Sequence, residues 1–77
     1  MKPDFIKIDM VDVVASNVAK IGFNESENIT AIEMLNGCLY YYLDTPKEEY
    51  LKLLNAKSIG SHLHRYYKGV YRYVRIK

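Results

Sequence analysis

Tryptophan is absent from this 77-residue chain, cysteine occurs once (Cys38), proline twice and glycine four times. A single cysteine cannot close an internal disulfide. With no basic, apolar and small-residue succession at the start of the chain, that lone thiol points to a reducing cytoplasm. No apolar run approaches the roughly 20 residues that cross a bilayer, so no membrane partner is expected. Low-complexity segments are also missing, and 49% of the residues are hydrophobic, which excludes a disordered tail. The length suits one domain, residues 1–77, and a chain this short buries only about 60% of the surface it exposes when unfolded. An enclosed pocket of about 300 Å³ or more is hard to fit in such a core, so a ligand site belongs in a surface cleft or between subunits of a homo-oligomer.

A further absence is regional. After Leu54 there is no Asp or Glu, while Asn55 to Lys77 hold six Lys or Arg, two His and four Tyr. The first 54 residues carry nine acids against five Lys, so a regional charge of −4 is followed by one of +6, and the net +2 conceals the asymmetry. Tyr interleaved with Arg and Lys suits a ligand that offers a negative group to the cations and a flat face to the rings, as a nucleotide does. Duplex binders usually have a domain pI above about 9 and neutralise many phosphates. Nine acids and a net +2 therefore favour a small nucleotide-type ligand or a short single-stranded RNA.

The local patterns predict an α+β fold. Phe5 to Val14 alternates, with Ile6, Ile8 and Met10 on one side, and reads as a first strand; Val18 to Phe23 is a second, closed by the turn-like cluster Gly22 to Ser26. Asn36-Gly37 predicts a two-residue type I′ hairpin joining Ile29–Leu35 to Cys38–Leu43. In that register Ile32 faces Tyr41 and Ala31 faces Tyr42. Met34, Leu39, Ile32, Tyr41 and Leu43 then form the core face, and Tyr40 and Tyr42 are half-exposed on the other. Thr45-Pro46-Lys47-Glu48 predicts a helix start with a Thr45 capping box, Tyr50, Leu51, Leu53 and Leu54 turned inward, and an end at Leu54. A second helix from Ser58 has Ile59, Leu63 and Tyr66 on its apolar side and stops at Gly69. Val70 to Ile76 is a last strand with Val70, Val74 and Ile76 inward and Arg72 as the misfit. The sum is a small antiparallel β-sheet, able to curl toward a barrel, with two short helices inserted before the last strand.

Three stretches, Ser16-Asn17-Val18-Ala19-Lys20-Ile21-Gly22-Phe23-Asn24, Asn36-Gly37-Cys38-Leu39-Tyr40-Tyr41-Tyr42 and Leu53-Leu54-Asn55-Ala56-Lys57-Ser58-Ile59-Gly60-Ser61, resemble the KTSC domain family. The likeness spans roughly Val13 to Ile76. That family is a small module found at the C-terminus of some lysyl-tRNA synthetases and as free-standing bacterial and phage proteins. Its Tyr-x-Tyr signature falls on Tyr40 and Tyr42, and its attachment to synthetases implies an RNA-binding role. The chain departs from the family's Tyr-Pro-Tyr-like ending, having Tyr71-Arg72-Tyr73 there.

Catalytic patterns are sparse. On a helix, residues two apart point about 200° apart, so His62 and His64 cannot face one metal. Cys38 has no His near it in sequence, and no nucleophile, base and acid can be assembled, so neither an enzyme nor a cofactor is expected. The candidate ligand site comprises Tyr40, Tyr42, Tyr67, Tyr71 and Tyr73 as stacking surfaces with His64, Arg65, Lys68, Arg72 and Arg75 as anion partners. The sequence thus predicts a non-enzymatic module that captures a nucleotide-type anion, in the manner of a phage-type sponge that sequesters a nucleotide immune signal. The alternatives are an RNA-binding accessory module and a protein–protein adaptor that uses the Tyr-rich surface.

Overall fold

The computed structural model describes residues 8–77. Five strands and two helices follow one another as β1 (Met10–Asp12), β2 (Val18–Asn24), β3 (Ile29–Met34), β4 (Leu39–Tyr42), α1 (Lys47–Leu54), α2 (Ile59–Tyr66) and β5 (Tyr73–Arg75). Each strand pairs antiparallel with its neighbour in sequence, giving the order β1-β2-β3-β4-β5. The sheet stays open, with β1 and β5 as its two edges, so the architecture is α+β and the barrel-like closure does not occur. Phe5, Ile6 and Lys7 of the expected first strand lie outside the described residues. Gly22 and Phe23, expected in a turn, continue β2, and the turn itself is residues 25–28.

Asn36-Gly37 does reverse the chain, but through three loop residues. Met34 N donates to Cys38 O at 2.8 Å and Gly37 N donates to Met34 O at 3.0 Å. Gly37 takes φ +92° while Asn36 stays at negative φ, the pattern of a type I turn followed by a glycine bulge. The register is therefore Glu33↔Leu39, Ile32↔Tyr40, Ala31↔Tyr41 and Thr30↔Tyr42, one step from the expected one. A one-step slip exchanges the faces. Tyr40 and Tyr42 join Ile32 and Met34 beneath the helices, and Tyr42 is buried rather than half-exposed. Leu39, Tyr41 and Leu43 turn to the opposite face with Ile29 and Ala31.

Both faces of the sheet are apolar. The helix side gathers Val18, Ile21, Ile32 and Tyr42 with Leu53 of α1, Ile59 and Leu63 of α2, and Tyr67. The apolar stripe of α2 thus continues to Tyr67, while Tyr66 is exposed; i, i+4, i+8 keeps the three side chains in one row. Leu51, Leu54 and Val70 are also exposed, contrary to the pattern's expectation, because α1 buries only Leu53 fully and β5 starts three residues later than Val70. Both ends of α2 follow from its sequence: Ser58 Oγ accepts from Ser61 N at 3.3 Å, and Gly69 at φ +77° reverses the chain.

The capping box of α1 does not form. Pro46 is the cap residue, in extended conformation and without a side-chain hydrogen bond. Thr45 is fully buried and its hydroxyl donates to Asn28 O at 3.2 Å, which leaves Thr30 Oγ1, 2.7 Å away, as the donor to Thr45. The hydroxyl that would cap the helix instead ties the entry of α1 to the β2–β3 turn. Asn28 and Asp44, both at φ +54°, supply the left-handed residues that this meeting of two turns requires.

Candidate ligand-binding site

Between α2 with the turn that follows it and the strands β4 and β5, the surface opens into a cleft of about 520 Å³. The shifted register creates it. Tyr42 lies opposite Tyr73 and Tyr40 opposite Arg75, so one face of two adjacent strands presents three phenol rings. Tyr42 and Tyr73 have centroids 5.6 Å apart, and Tyr40 meets Tyr73 edge-on at 5.8 Å. Behind them Tyr42 touches Tyr67 edge-on at 5.4 Å, and Tyr67 touches Tyr71 at 5.4 Å. Five rings thus run from the exposed Tyr73 to the fully buried Tyr67, and the inner ones hold the outer ones in place.

Lys68 stands at the rim, with Asn17 and Asn36 also lining the cleft. Asn17 and Gly60 are shared with a shallower groove of about 770 Å³ whose walls include Lys57, Ser61, His64 and Arg65. Neither lining contains a carboxylate. Burial raises the Tyr42 phenol above its ordinary value, reinforced by Tyr73 and Tyr40. Burial likewise raises Tyr67, moderated by the Thr30 hydroxyl and reinforced by Glu49. The Thr30 approach falls short of hydrogen-bonding geometry, and Tyr67 Oη has no partner among the described residues. The cleft therefore offers phenol rings, two side-chain amides and a lysine, groups whose chemistry suits a flat ring and an anion.

The structure distributes the residues expected from the sequence over several places. Tyr40, Tyr42, Lys68 and Tyr73 share the cleft, while His64 and Arg65 lie in the adjoining groove. Tyr67 and Tyr71 are support: Tyr67 is enclosed, and Tyr71 is half-buried against it. Arg75 is on the cleft face of β5, but its guanidinium turns to Cys38 Sγ at 3.3 Å and to Lys77 O at 3.1 Å. Alternation from Val74 puts Arg72 on the opposite face, where its carbonyl accepts from Leu43 N, so it does not contribute to the cleft. His62 turns inward and its Nε2 lies 3.0 Å from Glu49 Oε1, while His64 is exposed. The two imidazoles are thus divided between the helix interface and the surface, and among the described residues no group of three or more potential ligands gathers for a metal. Sequence reasoning missed Asn17, Asn36 and Gly60 as site residues; the first two had a signal only as polar residues next to strand ends.

A single-sided α+β domain of this kind, with a five-stranded antiparallel sheet under two short helices and a Tyr-x-Tyr strand next to its last edge strand, defines the class. The KTSC domain model matches residues 15–73, and the chain belongs to the KTSC domain family. An uncharacterised protein of Stutzerimonas stutzeri (strain A1501) is 34% identical over 67 residues, 86% of this chain and 94% of its own. The crystal structure of a KTSC domain protein from Yersinia pestis aligns at a TM-score of 0.86 and 22% identity, covering 92% of this chain and 100% of that one. At that identity the likeness speaks for the fold.

Proposed function

We propose that this protein is a non-enzymatic binding module that captures a nucleotide-type anionic ligand in the tyrosine cleft. One observation carries the reading: Tyr40, Tyr42 and Tyr73 converge on a cleft with Lys68 at its rim, which adjoins a second groove lined by cations, with no carboxylate in either lining. Base stacking on an aromatic side chain contributes about 1–3 kcal/mol, and the exposed Tyr73 and half-buried Tyr40 leave ring surface for it. Lys68 supplies a charge for a phosphate beside the rings. Sequestration of a nucleotide signal is the action that suits such a module when no catalytic group faces the ligand.

Native mass spectrometry and tyrosine fluorescence titration with mononucleotides, cyclic nucleotides and short RNA test this. Tyr73→Ala is expected to weaken binding about tenfold or more while leaving the melting temperature near the parent's, because Tyr73 is 58% exposed. A parent protein that takes up no nucleotide at millimolar concentration overturns the reading. Binding confined to RNA, with a steep loss of affinity as salt rises, replaces it with the RNA-binding one.

A further inference from the structure

Gly60 occupies its position without an internal reason. Gly22 is demanded by close packing, and Gly37 and Gly69 by positive φ. Gly60 sits in the first turn of α2, where alanine is the better helix former, and a Cβ built on it meets nothing within 4 Å. Its bare backbone lines both grooves, as does Asn17. A side chain at this point would stand in the passage between them, and glycine is the residue that permits close approach of a ligand to backbone.

Resting on the nucleotide-capture reading above, we infer that the two grooves form one path and that the ligand is a nucleoside polyphosphate, its base among Tyr40, Tyr42 and Tyr73 and its phosphates crossing Gly60 to Lys57 and Arg65. A monophosphate is served by Lys68 alone at the cleft rim. Lys57 and Arg65 lie beyond Gly60, and among the described residues no carboxylate pairs with either of them or with Lys68. Three unpaired cations match the charge of a di- or triphosphate. Ser61 adds a donor: its Oγ accepts from Ser58 Oγ at 3.1 Å, which leaves its own hydrogen free to point outward.

Calorimetric titration with ATP, GTP, CTP and UTP, and then with the diphosphate, monophosphate and nucleoside of the tightest-bound base, tests the path. The diphosphate is expected to bind about tenfold more tightly than the monophosphate, the effect of one charge-assisted contact. Gly60→Leu should erase that advantage. Lys57→Ala with Arg65→Ala, two exposed changes that do not disturb the core, should erase it as well. Gly60→Ala should melt at or above the parent's temperature. A monophosphate bound as tightly as the triphosphate, or a diphosphate advantage that survives these variants, overturns the path while leaving nucleotide capture intact. A parent that binds none of the probes, nucleoside included, overturns the underlying reading instead. Hexa-adenylate bound more tightly than every triphosphate overturns the path in favour of single-stranded RNA.

Discussion

Tyr67→Ala is expected to cost about 3–5 kcal/mol in urea denaturation, most of the stability that so small a domain possesses, whereas Tyr67→Phe should be neutral or stabilising. The ring is completely enclosed between the sheet and α2, edge-on to Tyr42 and in contact with Tyr71, so its removal leaves a large cavity and undoes the aromatic row. The hydroxyl contributes in the opposite direction: it is buried without a hydrogen-bond partner among the described residues, a state that costs about 1–3 kcal/mol. Phenylalanine keeps the ring and removes that cost. The same group predicts an alkaline limb. Tyr42, Tyr50, Tyr67 and Tyr71 all hold their protons above the ordinary value of 10, chiefly through burial. The unfolded chain releases these protons near pH 10 and the native chain retains them, so stability is fully present below pH 10 and falls as pH rises beyond it. Tyr67→Phe should make that fall shallower. A Phe variant more than about 1 kcal/mol less stable than the parent would show that the hydroxyl is bonded after all.

Gly22→Ala should lower stability by about 1–3 kcal/mol, the usual cost of forcing atoms into a filled space. A Cβ at Gly22 would lie 2.6 Å from the Asp9 carbonyl oxygen and 2.8 Å from both Ile8 Cγ2 and Met10 Sδ. The side-chain atoms can swing aside. The carbonyl belongs to the backbone that pairs Met10 with Gly22, and it moves only if β1 lifts from β2. Thermal melting gives the magnitude, and amide exchange of Met10 to Asp12 reports whether β1 has detached. An alanine variant with the parent's melting temperature and exchange would mean that β1 shifts sideways without loss.

Element order and type were legible because each boundary has a local cause. Gly37, Ser58 and Gly69 all act where the sequence puts them. Three things were not legible, each for a physical reason. The hairpin register depends on whether one or both of Asn36 and Gly37 take positive φ, and hydrophobic pattern could not decide it. Leu39 to Leu43 is apolar throughout, and both faces of the sheet have an apolar cluster to receive it. Tyr66 and Tyr67 are equally compatible with a helical repeat that begins Ile59, Leu63, and only the tertiary position of the sheet selects the second. Thr45 had two uses for one hydroxyl, a local cap and a distant partner, and the buried Thr30 won it. The candidate site inherited these ambiguities: the basic and aromatic composition pointed to a region that lines part of the cleft, while the exchange of faces determined that Tyr40, Tyr42 and Tyr73 meet and that Arg72 does not join them.

β5 is a three-residue edge strand, hydrogen-bonded on one side only, and the chain reaches it after both helices have intervened. Such a strand can detach while the central hairpins remain intact, so its amides exchange through a sub-global opening that costs less than complete unfolding. Tyr73 rides on that strand. One wall of the cleft is therefore expected to breathe, and a molecule held against Tyr73 should act as a latch whose grip can be read as slower hydrogen exchange at Tyr73 to Arg75 with the rest of the sheet unchanged.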